Sequence, residues 1–250
     1  DIIVNRLVGK GRAAYGQSVG IMIMDEVFPR VPGDVGNATT FPFPIIYGVL
    51  RGFRGPHIVT RNVTPEMKSA VCDVAKELEE RGVRAVVGGC GFMARFQKDL
   101  TGTVNVPVFS SSLLLVPMIS RSLPRHKKRV GILFAQASEA TNELLKAVGI
   151  GNSIPIAMAG FDSLKPSEMT AIQETDPEKR LKNLESALTK MARMLVSKNP
   201  DVGALVFECT NMPPAARAVQ EATGLPVFDV TSLVSLVHDV VVRKNFVGYL

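Results

Sequence analysis

The chain has 250 residues, 46% of them hydrophobic, enough to bury a sizeable core in one large α/β domain or two smaller ones. Its apolar runs are short, and the one at 113–119 is cut by Pro117, so no membrane-spanning segment is expected. A net charge of +6 favours anionic partners, but the densest basic cluster, at 125–129, reads as a solvated connection and no nucleic-acid-binding motif accompanies it.

The first stretch, 1–17, lacks an apolar run followed by a small-residue cleavage site and is expected to be a flexible N-terminal segment of a cytoplasmic protein. Its glycine-rich part, Gly9 to Ala14, matches a dinucleotide pattern only loosely, with too little chain before the next strand for the helix that pattern needs. Apolar, β-rich runs then recur at 19–24, 45–50, 83–87, 106–109, 130–134, 154–158, 202–207 and 225–228. Most are continuous rather than alternating, as strands covered on both faces should be. Between them, 65–81 places Met67, Val71, Val74 and Leu78 on one helical stripe, opening with Pro65 and closing before Gly82. The stretch 177–198 repeats that layout with Leu181, Leu184, Leu188, Met191 and Leu195. Strands alternating with helices predict parallel sheets with right-handed crossovers.

An internal repeat organises the whole. Sliding the chain until Cys90 meets Cys209 lays 82–114 over 201–233 without a gap, and nine positions are identical, among them Met93 with Met212 and Pro107-Val108-Phe109 with Pro226-Val227-Phe228. The chain therefore reads as two similar α/β halves, 18–122 and 123–230, related by a pseudo-twofold axis, with a C-terminal helix at 231–250 packing back on the first. Each half presents one cysteine at the carboxyl end of a parallel strand, the edge at which open α/β sheets bind ligands. Three cysteines, with no CxxC spacing and no nearby histidine, argue against both a disulfide framework and a zinc site.

Two thiols facing one cleft suit inversion of a carbon beside a carboxylate: one, as thiolate, takes the α-proton while the other gives a proton to the opposite face. Backbone N–H groups at the loops can hold the carboxylate. Gly91 permits close backbone approach after Cys90, and Thr210 and Asn211 add donors after Cys209. No metal or organic cofactor is required for this chemistry.

The cysteine loops GGCGFM and ECTNM, the early MDEVFPRVPGDVGN and the later VGILFAQASEAT together resemble the cofactor-independent aspartate/glutamate racemase superfamily, which includes amino-acid and hydantoin racemases, maleate isomerases and arylmalonate decarboxylases. The resemblance covers most of the chain from about Ser18 onward. It implies two flavodoxin-like halves with the active site between them and acid/base roles for Cys90 and Cys209. It further implies that Asp25 and Ser138 border the substrate, and it suggests a homo-oligomer. Gly91-Phe92 stands where many amino-acid racemases carry a small polar pair, which favours a bulkier or more apolar substrate. The leading expectation is thus a racemase acting on an amino acid or related small carboxylate. A hydantoin racemase, a maleate-type isomerase and a non-catalytic two-lobed binding protein are the alternatives. Asp25 also reads as a cap for the loop after its strand, Ser110 to Ser112 as an N-cap region, and Glu208 as either tuning Cys209 or pointing away from the cleft.

Overall fold

The computed structural model describes residues 14–248, so the N-terminal segment expected at 1–17, with most of the Gly9 to Ala14 stretch, lies outside the described residues as far as residue 13. Two four-stranded parallel sheets carry the fold. The first contains β1 (Val19–Met24), β2 (Ile45–Leu50), β3 (Ala85–Gly88) and β4 (Val108–Phe109). The second contains β5 (Arg129–Phe134), β6 (Ile156–Gly160), β7 (Val202–Phe207) and β8 (Val227–Phe228). Their orders, β2-β1-β3-β4 and β6-β5-β7-β8, are the same. In the first, Val19 lies opposite Ile45 and Ala85; in the second, Val130 lies opposite Ile156 and Ala204. The sequence repeat is therefore a repeat of architecture.

Several strands begin later than their apolar runs do. Pro107, Pro155 and Pro226 have no N–H for a ladder, so pairing starts at Val108, Ile156 and Val227. Their carbonyls still accept, from Val86 at 3.0 Å, Val130 at 3.1 Å and Leu205 at 2.8 Å.

Helix α1 (Pro65–Glu80) starts where the Thr64 side chain accepts from the Met67 N–H, and it buries Met67, Val71, Ala75 and Leu78. It stops at Gly82, whose φ of +97° reverses the chain toward β3 and would strain any residue with a side chain. Helix α2 (Pro177–Lys198) is capped by Asp176, accepting from Lys179 N at 2.9 Å, and buries Leu184, Leu188, Met191 and Leu195.

The C-terminal helix is shorter than 231–250. Helix α3 (Val230–Val241) is capped by Asp229 and sends Val230, Leu233, Val234 and Val237 into the core beneath the first sheet. It ends at Val241, and residues 243–248 are exposed.

The second sheet divides its side chains between two cores. Ile132, Phe134, Ala204 and Val206 join a core continuous with Val19, Ile21, Val86 and Leu113 of the first half. Leu133, Leu205 and Phe207 point the other way, against Leu188 and Leu195 of α2. Apolar packing thus joins the two halves directly, fixing β3 and β7 relative to each other. Among the described residues, no helix is long and apolar enough to cross a membrane.

Candidate active site

Strands β3 and β7 occupy equivalent places in their sheets and both run out into a cysteine loop. The loops turn alike: Met93 N–H donates to Cys90 O at 3.0 Å and Met212 N–H to Cys209 O at 3.2 Å. Cys90 is the N-cap of a short 3-10 segment, Gly91–Phe96. The backbone N–H of Phe92 pulls the Cys90 thiol down and that of Asn211 the Cys209 thiol, each against larger causes that raise it.

The loops also touch each other. The Thr210 hydroxyl donates to Gly89 O at 2.7 Å, and the hydroxyl of Ser112, the first residue of a 3-10 turn Ser112–Leu115, donates to Phe207 O at 2.7 Å. Cys90 is buried and Cys209 half-buried, and they are near enough for a charge on Cys90 to raise Cys209. Burial is the largest cause pushing both thiols above the ordinary range, and the Glu208 carboxylate is the second.

Glu208 turns inward, against the loop of the first cysteine. It is 1% exposed, its Oε2 accepts from Ala135 N at 3.0 Å, and its Oε1 and backbone carbonyl both press on Gly91. Burial pushes its carboxyl up to about 7, against the opposing pull of the Ala135 N–H and Arg95. Gly91 is required here, since a Cβ would overlap both oxygens of Glu208.

The remaining expected site residues divide. Thr210 and Asn211 are at the site, Thr210 through the bond that ties the loops together. Only the backbone N–H of Phe92 is there: its ring is fully buried in the core, 6.3 Å from the Phe134 ring and 5.5 Å from the Arg95 guanidinium. Ser138 N donates to Asp162 at 2.9 Å, and its carbonyl accepts from Arg61, which also pairs with Glu139 at 3.6 Å and so spans the two halves. Asp25 holds a turn: its Oδ2 accepts from Gly52 N at 2.9 Å and its N–H donates to Phe53 O.

Two features escaped the sequence reading. The segment after β1 folds across to the second half, where Val35 N–H donates to Thr210 O at 3.3 Å and the Phe28 ring lies between the guanidinium groups of Arg30 and Arg180, at 4.4 and 4.8 Å. Arg95, five residues after Cys90, is the other; a lone charge inside the otherwise apolar run Gly91–Phe96 was its only signal.

Solved structures of similar fold include an arylmalonate decarboxylase (TM-score 0.58, 14% identity, 92% of this chain and 94% of that one). They also include a glutamate racemase from Bacillus anthracis (TM-score 0.55, 15% identity, 89% and 82%) and an aspartate racemase homologue from Pyrococcus horikoshii OT3 (TM-score 0.54, 18% identity, 88% and 98%). The chain has the aspartate/glutamate racemase superfamily fold. No family model matches the sequence.

The sequence relatives of this racemase-fold chain carry a different name. It is 28% identical over 227 residues to a dimethylsulfoniopropionate lyase from Durusdinium sp. clade D, covering 88% of this chain and 74% of the relative. It is 27% identical to dimethylsulfoniopropionate lyases 7 and 6 of Emiliania huxleyi (strain CCMP1516), covering 85% of this chain but only 63% and 56% of those proteins. These names overturn the expectation of an α-carbon racemase. The fold is shared with racemases, whereas the relatives that match along the sequence are named for a lyase. The comparisons support an enzyme and give the isomerase class no support from sequence.

Proposed function

We propose that the chain is a lyase cleaving dimethylsulfoniopropionate or a closely similar β-sulfonium carboxylate. The match to relatives named for that activity, along 88% of the chain, carries the reading. The reaction follows from the compound itself. A thiolate takes a proton from the carbon beside the carboxylate, that C–H pair becomes the double bond, and the bond to sulfur breaks with its electrons going to the sulfonium. Neutral dimethyl sulfide and acrylate leave, and the thiol returns its proton to solvent. Because the leaving group is already cationic, no further acid is needed to expel it.

The electrostatics of the site suit such a substrate. Cys90, Glu208 and the half-buried Cys209 form an acidic trio, and Glu26 and Asp34 add to the negative field at Cys90 and Cys209 respectively. A sulfonium placed among these groups favours ionisation of a thiol that burial otherwise keeps protonated. General-base catalysis by one positioned thiolate contributes on the order of 10²–10⁴ in rate.

The test is dimethyl sulfide release measured by headspace gas chromatography, with acrylate followed by NMR in the same sample. The wild type should release both in equal amounts, and Cys90→Ala and Cys209→Ala should each lower release, one of them at least 10³-fold. Absence of either product from the wild type, or full activity in both variants, overturns the reading.

A further inference from the structure

The guanidinium of Arg95 is held in an unusual state. Its Nη1 donates to the Thr60 carbonyl, which fixes the direction of the group. Its Nε and Nη2 are both shut away from solvent, and neither has a hydrogen-bond partner among the described residues. These two nitrogens lie on one edge of the guanidinium, where their N–H bonds run parallel. That edge is the fork that grips a carboxylate with two bonds at once.

A buried guanidinium with an unused fork carries a large desolvation cost, and burial is the largest cause lowering Arg95 from its ordinary value. Buried donors in folded proteins are almost always paired, so an unpaired set calls for a partner brought from outside. Arg95 sits in the 3-10 segment Gly91–Phe96 that begins at Cys90, and the charges it feels are those of Cys90, Glu139 and Glu208, so the fork belongs to the neighbourhood of Cys90. Phe92, whose ring lies 5.5 Å beneath the guanidinium, prevents it from swinging toward the core.

We propose that Arg95 anchors the substrate carboxylate through Nε and Nη2, holding the adjacent carbon within reach of the thiols. The identity of the substrate as a β-sulfonium carboxylate rests on the lyase reading, whereas the anchor itself does not. The position also explains how a site crowded with acidic groups accepts an anionic substrate end: one fixed cation meets the carboxylate while the acidic trio meets the sulfonium. Arg95 thus sorts the two ends of a zwitterion and decides which carbon lies against the base.

The test compares two alkylating agents of nearly equal size, iodoacetate with a carboxylate and iodoacetamide without one, on Cys90, with labelling followed by peptide mass spectrometry. Any change in thiol ionisation affects both reagents alike, so the ratio of their rates reports carboxylate recognition alone. The ratio in Arg95→Gln should fall at least tenfold below that of the wild type. Arg95→Lys, which keeps the charge and loses the fork, should fall between them. Thermal unfolding establishes that each variant is folded, and Arg95→Lys serves if Arg95→Gln is not. Saturation-transfer NMR with propionate provides a second readout: binding to the wild type and its loss in the variant are expected. An unchanged alkylation ratio, or a wild type that does not bind propionate, overturns the anchor. A wild type that binds propionate through Arg95 yet releases no dimethyl sulfide leaves the anchor standing and removes the lyase reading.

Discussion

The two cysteine loops come from one repeated pattern and are not interchangeable. When Cys90 is laid on Cys209, Gly89 meets Glu208 and Gly91 meets Thr210. In space the same positions are complementary and in direct contact. The Thr210 hydroxyl binds the carbonyl of Gly89, and the Glu208 carboxylate rests on Gly91. The first loop has given up its side chains on both sides of the cysteine, and the second has filled the room with a hydroxyl and a carboxylate. A symmetric pair of halves has thereby become an asymmetric site, with one thiol flanked by bare backbone and the other by polar groups. Asymmetry suits a reaction that needs one base and one cationic leaving group better than one that needs equal bases on two faces.

The cysteines themselves break or sharpen this comparison most strongly. Cys90→Ala and Cys209→Ala should each lower dimethyl sulfide release, with the larger loss at least 10³-fold and the two losses differing by at least tenfold. Steady-state kinetics on both variants decides the matter. Equal losses mean that the thiols act as a matched pair despite their different surroundings.

Gly91→Ala tests the contact between the loops. The new methyl group would overlap the Glu208 carboxylate, which can rotate away, and the Glu208 backbone carbonyl, which cannot. Activity should fall about 10²-fold as the loops separate. The double variant Gly91→Ala with Glu208→Ala should recover little of it. Full recovery would mean that only the carboxylate keeps position 91 bare.

The fold was legible in the sequence because its causes are local and repeated. Continuous apolar runs, the prolines and glycines that bound them, and the Cys90 and Cys209 match required no knowledge of packing. The site was legible only along the strands. Glu208 was placed in doubt because alternation along β7 puts its side chain on the face opposite Cys209, and nothing in one strand shows that Gly91 from the other half leaves a space there. The Phe92 ring misled for a related reason: an apolar residue beside a catalytic position looks like a pocket wall, whereas here it fills the core against Phe134. The racemase reading rested on chemistry that the fold permits, and many reactions share a fold.

Glu208 supplies the next effect. Its carboxyl is held at about 7 in the folded chain against an ordinary value of 4.5, so the folded state binds the proton more tightly. The stability associated with the protonated group is complete below pH 4.5 and is lost as pH rises through about 7, on the order of 3 kcal/mol in all. Glu208→Gln should flatten this dependence and leave the variant more stable than the wild type above pH 7, as read by urea unfolding at several pH values. It should also lower the pH at which both thiols are alkylated, while burial, the larger cause, keeps them above ordinary cysteine.

The smallest effect isolates the other half of the complementarity. Thr210→Val keeps the shape and deletes the hydroxyl, leaving the Gly89 carbonyl without the donor it has at 2.7 Å. Thr210 is buried at 3% exposure, so solvent cannot readily replace that bond, and the cost should be about 1–3 kcal/mol in unfolding free energy. The kinetic readout separates two roles. If the bond only holds the halves together, stability falls while kcat changes less than threefold. If it sets the distance between Cys90 and Cys209, kcat falls tenfold or more with KM nearly unchanged, because the substrate still binds but the base no longer reaches its proton. The second outcome is expected, since the bond lies one residue from each cysteine and a displacement there passes directly to both sulfurs.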